Sequence, residues 1–226
     1  VGCVWKLGSG WENGPIENLQ AFCPFCGGLL ALYWGQTKST SPQIRTFWWM
    51  IAPIWFILCA RELSWGAAFM HPIDFSTEFG PIFSSSQQLP YKKLIPPLLG
   101  AILLVIVWRF IHTKQQQTLV KVWRNRAFPW LELGLFAIAF AISTDAEGHG
   151  VGLFKHMDHV SQQVVEELAE LLAYIALLMA QWRVASSLRM SDGFNSKQFT
   201  QDLPLPTARS SYSTSMATQR YVKSKE

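Results

Sequence analysis

The chain has 226 residues, of which 50% are hydrophobic and 14% aromatic and only 15% charged, against about 25% charged in an ordinary soluble domain. Eleven Trp and fifteen Phe with so little charge exclude a disordered chain, and four Cys are too few for a disulfide-dense scaffold. A net charge of +4 with no basic stripe excludes a nucleic-acid surface, so no nucleic-acid partner is expected.

A helix needs about 20 mainly apolar residues to cross the ~30 Å hydrocarbon layer of a bilayer. Residues 1–15 form an N-terminal segment ahead of the first such stretch, 16–35, whose apolar part is short and interrupted by Pro24, Gly27 and Gly28. Stronger spans follow at 46–70, 94–111, 127–144 and 164–182. No ten-residue alternation suggests a β-barrel. The loop 70–90, with spaced Phe and Ile, is expected to lie along the membrane surface. From residue 191 the chain turns polar and loses apolar periodicity, which predicts a disordered tail over 191–226.

The basic residues supply an orientation, because cytoplasmic loops collect Lys and Arg. Fourteen of the 19 fall in three alternate segments: Lys38 and Arg45; Arg109, Lys114, Lys121, Arg124 and Arg126; and the chain from Arg183 to Lys225. The opposite side holds Lys6, Lys92, Lys93 and Lys155. The expected arrangement is therefore N-terminus out and C-terminus in, in a bacterial-type inner membrane.

Ionisable residues inside spans are costly, and each marks a functional hypothesis. Glu17 opens the first span; Arg61 and Glu62, followed by Ser64, lie in the outer half of the second; Asp145 closes the fourth; Glu166, Glu167 and Glu170 lie in the outer part of the fifth. These residues are expected to meet as one polar pocket, with Arg61 as its embedded base. Three His (His149, His156 and His159) accompany Glu147 and Asp158 in the connection before the last span, at the expected mouth. His159, Gln163, Glu166 and Glu170 share a helical face. Imidazole with carboxylate at such spacing is how bundles hold transition metals, so a divalent transition metal is the expected cofactor. His71, Asp74 and Glu78 of the outer loop could reach the same region. The competing expectation is a structural network, the carboxylates being satisfied by Arg61, Ser64, Gln20 or Trp N–H groups. Glu132, near the inner interface, is expected to snorkel or to pair with an Arg.

Cys23-Pro-Phe-Cys26 is a CxxC, whose close spacing permits an exchangeable disulfide and whose thiols a helix N-terminus would activate. It carries an alternative function, membrane thiol–disulfide exchange.

Arg61-Glu62-Leu63-Ser64-Trp65-Gly66, with Glu17 opening the first span and Glu166-Glu167-Leu168-Ala169-Glu170 opening the last, resembles a layout found in uncharacterised bacterial multi-span inner-membrane proteins. That resemblance spans about 170 residues of the chain and implies the inner-membrane setting, but it brings no established activity.

The sequence thus predicts an all-α membrane bundle of five transmembrane helices, or four if the first candidate does not span. Its polar carboxylate–His pocket would bind a cation or metal, or act on a lipid-borne substrate. A third alternative is a non-catalytic helper subunit, whose carboxylates pair with a membrane-protein partner or a second copy of the chain.

Overall fold

In the computed structural model of the chain, the described residues are 14–37, 41–76 and 80–201. The chain divides into two units, Val1–Asp192 and Gly193–Glu226, and the geometry that follows belongs to the first. The described residues are mainly helical, as the composition requires.

Helix α1 (Pro15–Gln36) and helix α2 (Pro42–Glu62) both begin with proline. Proline presets a helical φ and lacks an N–H that would be orphaned at that position. The two helices pack antiparallel, small residues of α1 receiving rings of α2. A Cβ at Gly27 would lie 2.5–2.8 Å from the Trp55 indole, one at Gly28 2.8–3.1 Å from the Phe56 ring, and one at Gly35 3.1 Å from Trp49. Glycine here creates the close approach.

The expected 46–70 span ends early, at Glu62. Ser64, Trp65 and Gly66 have φ of 47°, 61° and 103°, which no right-handed helix contains, so a left-handed turn separates α2 from the short helical turn that ends at Phe69. Gly66 takes its left-handed conformation without a Cβ penalty. The Tyr91 hydroxyl pins the turn by donating to the Trp65 carbonyl at 3.1 Å.

The described residues fit the all-α expectation, and the loop that follows carries one short hairpin within it. Strands β1 (Asp74–Ser76) and β2 (Gly80–Ile82) form an antiparallel hairpin pairing Asp74 with Ile82. Asp74 Oδ1 accepts the Phe75 N–H at 2.8 Å. Short helix α3 (Ser85–Gln88) closes back onto the loop, Gln88 Nε2 donating to the His71 carbonyl at 2.6 Å.

Helices α4 (Ile95–His112), α5 (Gln116–Arg124), α6 (Trp130–Ala146) and α7 (His159–Gln201) complete the described chain. Helix α7 runs on through 191–201 of the expected tail; residues 202–226 lie outside the described residues, as do 1–13 of the N-terminal segment. Among the described residues two stretches, Pro42–Glu62 and Lys92–His112, are long and apolar enough to cross a membrane.

The hydrophobic core sits at the end of the helices where α1 turns into α2. Ala31, Trp34, Ile44, Phe47, Trp48, Val122, Ala185 and Leu188 interlock there, with Trp34 and Trp48 ring centroids 4.7 Å apart. The Arg189 guanidinium lies 5.2 Å from the centroid of the Trp34 ring as a cation–π contact. At the same end Gln115 donates to the Gln43 carbonyl at 3.1 Å, tying the α4–α5 turn to the start of α2.

Elsewhere the usual order is reversed. The buried faces of α1 and α7 are small or polar: Gln20, Pro24, Gly27 and Ala31 on one, Ala169, Ala173, Ala176 and Gln181 on the other. Their exposed faces are apolar. Leu19, Phe22, Phe25, Leu29 and Tyr33 point away on α1, and Leu168, Leu172, Ile175, Met179 and Trp182 do so at strict helical spacing on α7. Helix α4 buries only Ile95.

Candidate functional site

The site is assembled by α7. Glu167, Tyr174 and Gln181, seven residues apart, return to nearly the same face every two turns, and each makes a polar link to another helix. Gln20 Nε2 of α1 donates to the Glu167 carbonyl at 2.6 Å. Tyr174 Oη donates to Glu62 Oε1 of α2 at 2.5 Å. Gln181 Nε2 donates to the Gly27 carbonyl at 2.9 Å, and its own oxygen accepts the Trp55 indole N–H. Gln20, Glu62 and Gln181 are all buried. In a low-dielectric interior an unmade hydrogen bond is expensive, so these links fix both the spacing and the register of α7 against α1 and α2.

Around Glu62 the network widens. Arg61 Nη2 reaches Glu170 Oε1 at 3.1 Å, while its Nη1 lies 3.8 Å from Glu62 Oε1. Ser143 Oγ of α6 donates to Glu170 Oε1 at 3.4 Å. The Arg61 side chain is 51% exposed against 6% for Glu62, so Arg61 is less embedded than expected. The buried carboxylate is held by Tyr174, and the guanidinium bridges at the rim.

Beside this network lies a cavity of about 410 Å³ lined by Glu17 of α1, Ala146 and Glu147 at the end of α6, and His159, Gln162, Gln163, Glu166 and Glu167 of α7. Four carboxylates line it, and among the described residues neither Lys nor Arg does. Glu167 Oε2 is buried with no hydrogen-bond partner among the described residues. Such a wall of acceptors suits a cationic group that also donates hydrogen bonds.

The structure therefore brings together Glu17, His159, Glu166 and Glu167, and next to them Arg61, Glu62 and Glu170. It does not bring in Asp145, His149, His156 or Ser64. Asp145 is buried as a structural clasp: Oδ1 accepts the Gly152 N–H at 2.6 Å and Oδ2 the Leu153 N–H at 2.7 Å, which folds the α6–α7 connection back on itself. His149 and His156 are exposed on that connection. Ser64 belongs to the left-handed turn. Among the described residues no group of three His, Cys, Asp or Glu is arranged to hold a metal ion, which corrects the expected metal centre. Glu78 lies outside the described residues.

Cys23 and Cys26 are free thiols well inside α1, eight and eleven residues beyond Pro15. The N-terminal field of a helix fades within its first turn, so the expected activation by a helix start does not apply. Glu132 does pair, with Arg183 of α7 at 2.9 Å.

Tyr174 and Gln181 escaped the sequence reading. Their one signal was a hydrogen-bonding group inside the apolar run LLAYIALLMAQW, at a two-turn interval from Glu167. No protein-family model, curated protein or solved structure matches this chain.

Proposed function

We propose that the chain is a multi-span integral membrane protein of bacterial inner-membrane type that binds a cationic group in the acidic pocket between α1, α6 and α7. The observation that carries the binding reading is the cavity of about 410 Å³ whose described lining holds four carboxylates, one of them Glu167 with its Oε2 buried and unpartnered among the described residues. Like charges around one space are stabilised by an incoming positive charge. The reversed burial supports the membrane reading: polar and small residues face inward, large apolar ones outward, as a bilayer favours. Helices α1, α6 and α7 join the two more apolar stretches as spans on this reading, giving five. The likeness of RELSWG and its companion motifs to bacterial inner-membrane proteins agrees with it.

The test uses the full chain purified in detergent. Thermal unfolding is followed with spermidine, calcium chloride or sodium chloride at matched ionic strength. A saturable rise in Tm with spermidine beyond that of calcium or sodium, lost in the Glu166→Gln/Glu167→Gln variant, is expected. Identical responses to all three salts would reject a cation site. Separately, release of the chain from membranes by alkaline carbonate would reject the integral placement.

A further inference from the structure

A second cavity lies at the opposite end from the acidic pocket. It is a groove of about 520 Å³ between α2 and α4, lined by Thr46, Met50 and Pro53 on one side and Ala101, Val105 and Arg109 on the other. Its walls are apolar apart from one end, where Thr46 and Arg109 sit. That end adjoins the α4–α5 turn, as the Gln115–Gln43 hydrogen bond requires.

The polar groups at this end are unequal. Thr46 Oγ1 donates to the Pro42 carbonyl at 2.9 Å, and Trp49 Nε1 to the Gly35 carbonyl at 3.1 Å. Arg109 has no ion pair among the described residues, whose salt bridges use Arg61 and Arg183. A permanent cation with five donors thus stands uncommitted at the head of an apolar trough. Along α4 the lining runs from Ala101 to Arg109, about 12 Å at 1.5 Å per residue. One leaflet of hydrocarbon is about 15 Å deep, half of the ~30 Å core. An acyl chain therefore fits the trough with its phosphate at the level of Arg109. The same end carries Lys114, Lys121 and Arg124, the basic surroundings that gather anionic lipids.

We propose that the α2–α4 groove is a binding site for an anionic phospholipid of the cytoplasmic leaflet, one acyl chain lying along Met50, Pro53, Ala101 and Val105 and the phosphate accepting hydrogen bonds from Arg109. This rests on the membrane reading above but not on the acidic pocket.

The experiment is native mass spectrometry of the delipidated full chain in detergent, titrated with dioleoyl phosphatidylglycerol or dioleoyl phosphatidylcholine. The unmutated protein should retain phosphatidylglycerol in preference to phosphatidylcholine. Arg109→Gln should weaken phosphatidylglycerol retention by roughly tenfold, the scale of one charge-assisted hydrogen bond, and leave phosphatidylcholine unchanged. Arg109→Lys should keep most of the preference, and Arg124→Gln all of it. Ala101→Trp, which fills the trough at an exposed position, should reduce retention of both lipids. Equal retention of the two lipids, or Arg109→Gln indistinguishable from the unmutated chain, overturns the proposal. So does a dimer in the same spectra that Ala101→Trp dissociates, because a second copy would then occupy the groove. A chain that stays soluble and folded without detergent would instead defeat the membrane reading, a result visible before any lipid is added.

Discussion

Tyr174 is where the sequence and the structure part most instructively. Glu62 was legible as a costly charge in an apolar run, and the sequence offered Arg61 as its obvious partner. The structure instead gives Glu62 the hydroxyl of Tyr174 on α7, 112 residues further along the chain, at 2.5 Å, and leaves Arg61 half exposed. A tyrosine within LLAYIALL reads as a core or interface ring, so its role as a donor was not legible. Asp145 was misread for the converse reason: a carboxylate at a helix end can serve its own connection, and two backbone N–H groups use it fully. The consequence is an asymmetry between neighbours. Tyr174→Phe leaves a buried acceptor short of its donor and should destabilise by about 1–3 kcal/mol. Arg61→Gln, at a half-exposed bridge, should cost at most about 1 kcal/mol. Thermal unfolding of both variants in detergent checks this; an Arg61→Gln loss exceeding that of Tyr174→Phe would restore the ion pair as the main support of Glu62.

At the scale of elements, the positions of the helices were largely written in hydropathy. The expected 16–35, 94–111 and 127–144 correspond closely to α1, α4 and α6. The end of α2 was not, because Ser64 and Trp65 are ordinary helical residues whose left-handed φ comes from the turn they build with Gly66 and Tyr91. Glycine positions carried information that hydropathy averages away. Gly27 and Gly28 weakened the first span as a sequence signal, yet they create the contact that seats α2. Gly27→Ala would drive a methyl into the Trp55 indole and should cost about 1–3 kcal/mol as overpacking. Gly134 of α6 has nothing within 4 Å of its would-be Cβ, so Gly134→Ala should be neutral or stabilising by up to about 1 kcal/mol. Unfolding midpoints of the pair decide it, and equal midpoints would show that the α1–α2 contact relaxes freely around a methyl.

Over the whole molecule, two ends of opposite character follow from where charge is placed. Glu17, Glu62, Glu147, Glu166, Glu167 and Glu170 gather at one end; Arg109, Lys114, Lys121, Arg124, Arg183 and Arg189 belong to the other. Between them, α1 and α7 expose apolar stripes and bury amides, a tyrosine and small residues. In water such stripes would associate, whereas in a bilayer they meet their natural solvent. Since Lys and Arg collect on the cytoplasmic side, the basic end should face inward and the acidic pocket outward. A chain with its four cysteines replaced by serine gives a direct reading. Val151→Cys reports from the α6–α7 connection, where Val151 is 90% exposed, and Arg124→Cys reports from α5. A membrane-impermeant maleimide applied to intact spheroplasts should label Val151→Cys and spare Arg124→Cys, and both should react after permeabilisation. Labelling of Arg124→Cys in sealed spheroplasts would invert the orientation. Labelling of both would remove the α6 crossing between them, and the acidic pocket would then face the same compartment as the basic end.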